Sequence, residues 1–323
     1  MTGGDSEDRA SRPKVTVCIP TYNYGNFIGE TIESVLMQNW TEYELLVIDD
    51  CSSDDTASVV EGYARKDSRI RFIVNAQNRG MVQNWNHCME LARGEYIKFV
   101  FGDDLLASPD ALGRMTEVLD REPSVSLVGS ARNLVDAHSV VIGKKSFSKQ
   151  SNIFSGRDVI HHCLVQQDNL IGEPTAVMFR KNQAVRGFSH NYRQFVDMEM
   201  WFHLLEQGSF AYIAEPICSF RVHDRQQTVR NKEGFADVMD IFYLLGDYLE
   251  KDYITLSIFR KKYLFYDHIY SIWKRSRQDN ARNAAARDLI NEYYDFNRFL
   301  ILLPLYKLYK PLFKLYRKSI KLS

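Results

Sequence analysis

Five short apolar runs, separated by four stretches of helical spacing, occupy residues 15–129. The first, Val15 to Ile19, is rich in β-branched residues and stops at Pro20, the pattern of a buried strand. Phe27 to Gln38 then sets Phe27, Ile28, Ile32, Val35 and Leu36 at helical spacing. Tyr43 to Ile48 reads as a second strand, and Ser53 with Asp54 and Asp55 opens a helix to about Lys66. Ile70 to Val74, Tyr96 to Phe101 and Val125 to Gly129 complete the strands. Helices between them run from Met81 to Ala92 and from a Ser108 cap, with Pro109 at its first position, through Leu119.

Strands and helices alternating at this spacing build βαβ units, so the predicted class is α/β with a mainly parallel, Rossmann-like sheet flanked by helices. Such sheets bind ligands outside the carboxyl ends of their strands. Polar clusters fall at three of those ends: Thr21-Tyr22-Asn23, Asp49-Asp50 and Asp103-Asp104. After about residue 130 the pattern loosens, and Ser139 to Ser155 is polar. Thr175 to Phe179, Phe210 to Ile213 and Cys218 to Val222 read as strands, and Met198 to Glu206 as a helix. A helical extension follows, with helices predicted over Phe235 to Leu249, Tyr253 to Lys274 and Asn280 to about Leu303. Pro304 and Pro311 are expected to break the last stretch into pieces.

A chain of 323 residues buries about 75% of its unfolded surface and needs no disulfide or metal staple. Its five cysteines are scattered, form no Cys-x-x-Cys pair, and read as free thiols of a reducing compartment. The formal charge, 41 basic against 41 acidic residues, excludes a uniformly basic nucleic-acid binder. That zero divides unevenly. Phe299 to Ser323 holds six cations and no acid, which leaves residues 1–298 at −6. Within the tail, residues 303–322 interleave Leu, Tyr, Phe and Ile with Lys and Arg, a composition suited to an anionic membrane surface. Tyr306, Tyr309, Phe313 and Tyr316 are the aromatics expected at the headgroups. The alternative is a helix packed on the acidic body. Phe299 to Leu303 is far too short an apolar run to span a bilayer, and residues 1–13 read as a disordered lead with no secretory h-region. The expectation is a cytoplasmic protein held peripherally at the inner face of the membrane.

Carboxylates at adjacent strand ends suit a divalent cation and a phosphorylated ligand, because hard cations take carboxylate and phosphate oxygens. Asp103-Asp104 can serve both a metal and a ribose hydroxyl, although an isolated Asp-Asp pair also fits a polar turn. The wider pattern is more specific. Val17 to Asn23, Leu46 to Thr56, Asn78-Arg79-Gly80 followed by Asn86, and Ala92 to Ile97 ahead of Asp103-Asp104 occur in order. Together they resemble the nucleotide-sugar-binding half of a family-2 glycosyltransferase with the GT-A fold, and the likeness runs from about Lys14 to Thr228.

That resemblance implies a GT-A domain over residues 14–229, divided into a nucleotide-sugar half (14–130) and an acceptor half (131–229). A helical extension (230–298) and the basic tail (299–323) follow. It implies that Pro20, Thr21 and Tyr22 line the nucleoside pocket, with Tyr22 against the base and Asp50 accepting a hydrogen bond from it. Gly80 lets the backbone approach the nucleotide. Asp103 holds the ribose and Asp104 the metal, Mn2+ or Mg2+. Asp197, in register with Trp201, stands at the catalytic base, with Glu199 turned elsewhere. Arg221 and His223 match an Arg-x-His element, in which Arg221 contacts a phosphate or a core carboxylate and His223 ligates metal or contacts the diphosphate. Asp224 to Thr228 would form a lid, and Gly172 to Thr175 resembles an acceptor-side loop. His161-His162-Cys163 lacks metal-ligand spacing and is read as a coincidence.

The implied reaction is a single in-line displacement that inverts the anomeric carbon. A hydroxyl of a saccharide acceptor, lipid-linked at the membrane, attacks a nucleotide sugar, with UDP as the implied nucleotide. The hydroxyl needs a carboxylate to take its proton. Two rivals stand beside this reading. A nucleotidyltransferase would want a Gly-rich phosphate loop, which Pro20 to Tyr24 is not. A catalytically inactive sugar-nucleotide or membrane adaptor would not require the full set of Asp50, Asp103, Asp104, Asp197 and His223.

Overall fold

The computed structural model describes residues 12–224, 226, 236–277, 287–288, 290–291 and 295–319. Residues 1–11 of the expected lead, most of the expected lid and the last residues of the tail therefore lie outside the described residues. The chain forms two compact units.

The first unit comprises Met1–Gly156, Asn169–His190 and Val196–Gln226. Its sheet contains β1 (Val15–Thr21), β2 (Tyr43–Asp49), β3 (Ile70–Val74), β4 (Tyr96–Phe99), β5 (Leu105–Leu106), β6 (Val125–Val135), β7 (Val141–Lys145), β8 (Asn152–Phe154), β9 (Val177–Arg180) and β10 (Ser209–Arg221). The strand order is β3-β2-β1-β4-β9-β6-β10-β5, with β7 on β6 and β8 on β10. β1, β2, β3 and β4 pair in parallel, as do β6 and β10, whereas β9 runs antiparallel between β4 and β6. Helices α1 (Ile28–Leu36), α2 (Thr56–Ala64), α3 (Met81–Leu91) and α4 (Ala111–Arg121) are the crossovers, and α6 (Val196–Leu205) precedes β10.

Every residue of β1 and β2 is buried, as a strand covered on both faces requires. The register pairs Thr21 with Asp49 and Cys18 with Phe99, so the ends of β1, β2 and β4 open on one edge of the sheet. That edge carries the polar clusters.

Several boundaries differ from the sequence reading. β6 continues six residues past Gly129 because β10 pairs along its whole length. β10 is one strand, not two: register shifts on either side of Pro216 absorb the residue that cannot donate to the ladder. β7 escaped notice because it is an edge strand whose Val141 and Ile142 face solvent. Helix α4 starts at Ala111 rather than behind Ser108, whose hydroxyl donates to the Asp110 carboxylate instead of capping the helix.

The second unit comprises Arg157–Asp168, Asn191–Phe195 and Gln227–Ser323. It therefore includes two segments that precede the sequence-based boundary at residue 230. Its helices are α5 (Gly156–Gln166), α7 (Ala236–Tyr248), α8 (Ile258–Ser276) and α9 (Phe296–Ser319). Ser257 caps α8 by accepting from the Arg260 N–H. Helix α9 is continuous through Pro304 and Pro311, contrary to the expected breaks. Both prolines are on exposed positions, and the carbonyls they leave unpaired, on Leu300 and Lys307, also belong to exposed residues that water can satisfy.

One stripe of α9 holds the helix in place. Phe299, Tyr306 and Phe313, spaced at seven residues, are buried against α8. Ring centroids lie 5.0 Å apart for Phe299 and Tyr266, and 4.1 Å for Phe313 and Tyr263. The Tyr306 hydroxyl donates to Asp267, which also meets Arg317 at 3.2 Å. Tyr306 and Phe313 are thus packing residues, not the headgroup-facing aromatics expected from sequence. The opposite stripe, Ile301, Leu305, Leu308, Leu312 and Leu315, is 55 to 75% exposed. No described helix is long and apolar enough to cross a membrane.

Candidate active site

The first strand end supplies three of the predicted residues. Pro20 and Thr21 are buried at the close of β1, while Tyr22 is 44% exposed beyond it. The Thr21 hydroxyl oxygen is buried without a hydrogen-bond partner among the described residues. Asp50, just past β2, is buried and gathers the next loop. Its Oδ1 accepts from Asn75 Nδ2 and the Arg79 N–H, and its Oδ2 from the Gly80 N–H, each at 2.8 Å. Three donors fill three of about four lone-pair sites and leave one. Gly80 adopts φ +83°, a conformation natural only to glycine, which turns its N–H to Asp50 at the start of α3.

The third strand end gives its two acids different partners. Asp104 is fully buried. Its Oδ1 accepts from the Arg221 N–H at 2.9 Å and its Oδ2 from Thr175 Oγ1 at 2.5 Å. Burial pushes its carboxyl well above the usual range, helped by the neighbouring Asp103 charge. Asp104, the expected metal ligand, accepts one hydrogen bond from the protein at each of its carboxylate oxygens. Asp103 is the acid that meets His223, with Oδ2 and Nε2 3.0 Å apart. The His223 ring also lies 5.1 Å from the Phe27 ring.

Arg221, expected to contact a phosphate or a carboxylate, bonds within the protein, where it meets the Glu30 carboxylate. It is fully buried. Nε donates to Asp103 O, Nη1 to Asp136 O, Ala137 O and Ser139 Oγ, and Nη2 to Glu30 Oε2 at 2.8 Å. Its guanidinium also covers the Phe27 ring at 4.8 Å. Through these bonds Arg221 fixes the Asp103 backbone. Lys98 braces the same region from β4. Its fully buried amine donates to the carbonyls of Phe99 and Thr175, and burial brings its pKa down to about 8.

Asp197 lies in the first turn of α6 and is only 9% exposed. Oδ1 accepts from the Met198 N–H at 2.7 Å and Oδ2 from Asn169 Nδ2 at 2.9 Å. Burial, joined by repulsion from Glu173, raises its carboxyl to about 7. A carboxylate poised there accepts a proton readily near neutrality. Glu199 is turned to Arg186, 2.7 Å away. Trp201 donates its indole N–H to Gly172 O at 2.9 Å, which ties the helix bearing Asp197 to the Gly172–Thr175 loop. Asn169, Arg132 and Lys98 were not found from sequence, because none sits in a recognisable motif and each acts through a fold-dependent contact.

Asp103 with His223 offers one carboxylate and one imidazole, and no described cluster holds three or more such side chains. Those two groups suit a divalent ion whose remaining positions go to phosphate oxygens.

Residues 16–163 match the family model described as glycosyl transferase family 2. An uncharacterised protein, MT1568 of Mycobacterium tuberculosis, is 32% identical over 254 residues, covering 74% of this chain and 78% of that protein. Among solved structures, S. aureus TarS 1–349 in complex with UDP-GlcNAc aligns with a TM-score of 0.60 at 18% identity, over 82% of this chain and 74% of that one. The mannosyltransferase PcManGT of Pyrobaculum calidifontis, in complex with GDP-Man and Mn2+, aligns with a TM-score of 0.57 at 18% identity, over 95% and 84% of the two chains. Both likenesses support the GT-A fold. With the strand-end clusters and the parallel sheet in place, the chain belongs to glycosyl transferase family 2.

Proposed function

We propose that this glycosyltransferase carries out an inverting transfer of a sugar from a nucleotide-sugar donor to a saccharide hydroxyl, with Asp197 as the general base. The observation that carries the proposal is the Gly172–Thr175 loop. It is tied at one end to Asp197, through Asn169 and Trp201, and at the other to Asp104, through Thr175. A base and a donor-side acid are thereby held in one rigid frame, as an in-line displacement needs.

Pro20, Thr21 and Tyr22 form the nucleoside pocket, with the exposed Tyr22 ring free to stack on a base and the unpartnered Thr21 hydroxyl available to the ligand. Asp50 keeps one lone-pair site for a base N–H while its other bonds hold Gly80. Asp103 and His223 would hold Mn2+ or Mg2+, which when bound neutralises charge on the leaving diphosphate. Asp104 and Arg221 keep that pair in position. Asp197 takes the acceptor proton, and its raised pKa suits it to the task. UDP is the proposed nucleotide, supported by the TarS complex, with GDP the alternative that PcManGT represents.

The acceptor is proposed to be a lipid-linked saccharide met at an anionic membrane on the cytoplasmic side. The exposed stripe from Ile301 to Leu315 supports this, since it extends about 21 Å along α9. Exposed Lys307, Lys314 and Lys318 flank it, and no acid occurs between Phe296 and Ser319. Self-pairing along that stripe would set cation against cation, whereas an anionic lipid surface complements it.

The test is nucleoside diphosphate release from a panel of UDP- and GDP-sugars with Mn2+ or Mg2+, given simple and lipid-linked saccharides. Metal-dependent release that rises with acceptor supports the proposal. Tight sugar-nucleotide binding with no release under any condition would favour the inactive adaptor instead.

A further inference from the structure

Glu173 is left without a role by the reaction as described, yet it occupies the centre of the frame. It lies between Gly172, whose carbonyl accepts from Trp201 Nε1 and Asn169 Nδ2, and Pro174-Thr175, which closes on Asp104. The loop backbone is specialised on both sides. Gly172 takes φ +126°, and a Cβ there would stand 3.0 Å from Arg132 Nη1. Pro174, with its own φ fixed by its ring, opens a 3-10 turn.

The Glu173 side chain is gripped from beneath. Arg132, on β6, has a side chain only 4% exposed and forms a close ion pair through Nε with Glu173 Oε2. Lys145 stands 3.8 Å from the other oxygen, Oε1. The loop is already secured at each end by hydrogen bonds that do not involve Glu173. A buried arginine paired with a carboxylate adds little stability for its desolvation, so its use here is to aim the carboxylate. Glu173 retains 23% side-chain exposure, whereas Asp104 and Asp197 on either side are buried. The loop's ties to Asp104, through Thr175, and to Asp197, through Asn169, set Glu173 between the donor side and the base.

In a displacement between a diphosphate and an activated hydroxyl, the ring being transferred occupies the span between them. We propose that Glu173 binds that ring: its carboxylate, aimed by Arg132, accepts hydrogen bonds from hydroxyls of the donor sugar and makes Glu173 a specificity-determining residue. This rests on the transferase reading above. A site built around a charged acceptor rejects sugars that cannot donate to it, because the carboxylate is then left unpaired. Arg132 is a positioning residue that acts through Glu173.

Calorimetry separates the sugar from the nucleotide. Wild type, Glu173→Gln and Glu173→Asp are titrated, in Mn2+, with each UDP- and GDP-sugar of the panel and with UDP and GDP alone. The Gln variant keeps an oxygen for Arg132, and the Asp variant keeps the charge but withdraws it by one methylene. Both should lose at least about tenfold in affinity for the sugar nucleotide that wild type prefers, with UDP or GDP binding unchanged. Arg132→Lys should show the same split. Variants that bind the sugar nucleotide as wild type does, or that lose sugar nucleotide and bare nucleotide equally, would overturn the proposal. So would an effect confined to the acceptor KM. A wild-type protein that binds none of these nucleotides would instead defeat the transferase reading itself.

Discussion

Asp103 Oδ2 and His223 Nε2 lie 3.0 Å apart, although 120 residues separate them in sequence. The end of β10 makes this possible. Ser219 pairs with Leu105 across the β5–β10 ladder, the Arg221 N–H binds Asp104, and the Arg221 guanidinium holds the Asp103 carbonyl. Three successive structural contacts thus deliver a histidine to an aspartate at the mouth of the sheet.

The two adjacent acids should respond differently to substitution. Asp103→Asn and His223→Ala should each weaken metal-dependent donor binding by at least about tenfold, read from a Mn2+ titration, with little change in melting temperature. Asp104→Asn should lower the melting temperature by several degrees, because a fully buried acceptor of two hydrogen bonds is perturbed. An intact metal titration in Asp103→Asn would return the metal to another residue.

The partners of Asp103 and Asp104 show where sequence reading reaches its limit. The pair was legible because it ends a strand, and the parallel core was legible because β1 and β2 are continuous apolar runs. That Asp104 bonds Thr175 and Arg221, 71 and 117 residues away, while Asp103 meets His223, comes only from folding. The same holds for Arg221 itself: its motif is visible, but its bonds to Glu30, Asp136, Ala137 and Ser139 come from folding. Helix α9 was readable as basic and amphipathic. That its aromatic stripe turns inward, and leaves leucines outside, depends on the tyrosines of α8.

Asp197 should govern the pH dependence of turnover. A base must be ionised, so kcat/KM should rise with pH through an apparent pKa of about 7 on the acid side. Glu173→Gln removes a repelling charge and should move that limb to lower pH. A limb that stays in place would separate Glu173 from Asp197.

The same carboxyl also bears on stability. Its folded pKa lies above the value of about 3.9 expected in the unfolded chain, so its ionisation penalises the folded state. The penalty is absent below about pH 4 and complete above the folded pKa. Asp197→Asn should therefore gain melting temperature relative to wild type as pH rises from 5 to 8. A constant difference across that range would contradict the assigned shift.

Liposome flotation tests α9 with substitutions on its outer face. Leu308→Glu with Leu312→Glu should abolish binding to phosphatidylglycerol vesicles and leave the melting temperature unchanged, since both side chains are largely exposed. Phe313→Ala should instead destabilise the second unit by about 3 kcal/mol, the scale of a buried aromatic truncation. Equal flotation of wild type and the double variant would remove the membrane from the account.

The most direct test of the central claim is a paired measurement on Asp197→Asn. Donor affinity is read by calorimetry, and nucleoside diphosphate release is read with acceptor present. The account predicts nearly unchanged donor binding and a rate lowered by a factor of about 100 or more. Turnover close to wild type, with donor binding intact, would show that another group takes the proton and would contradict it.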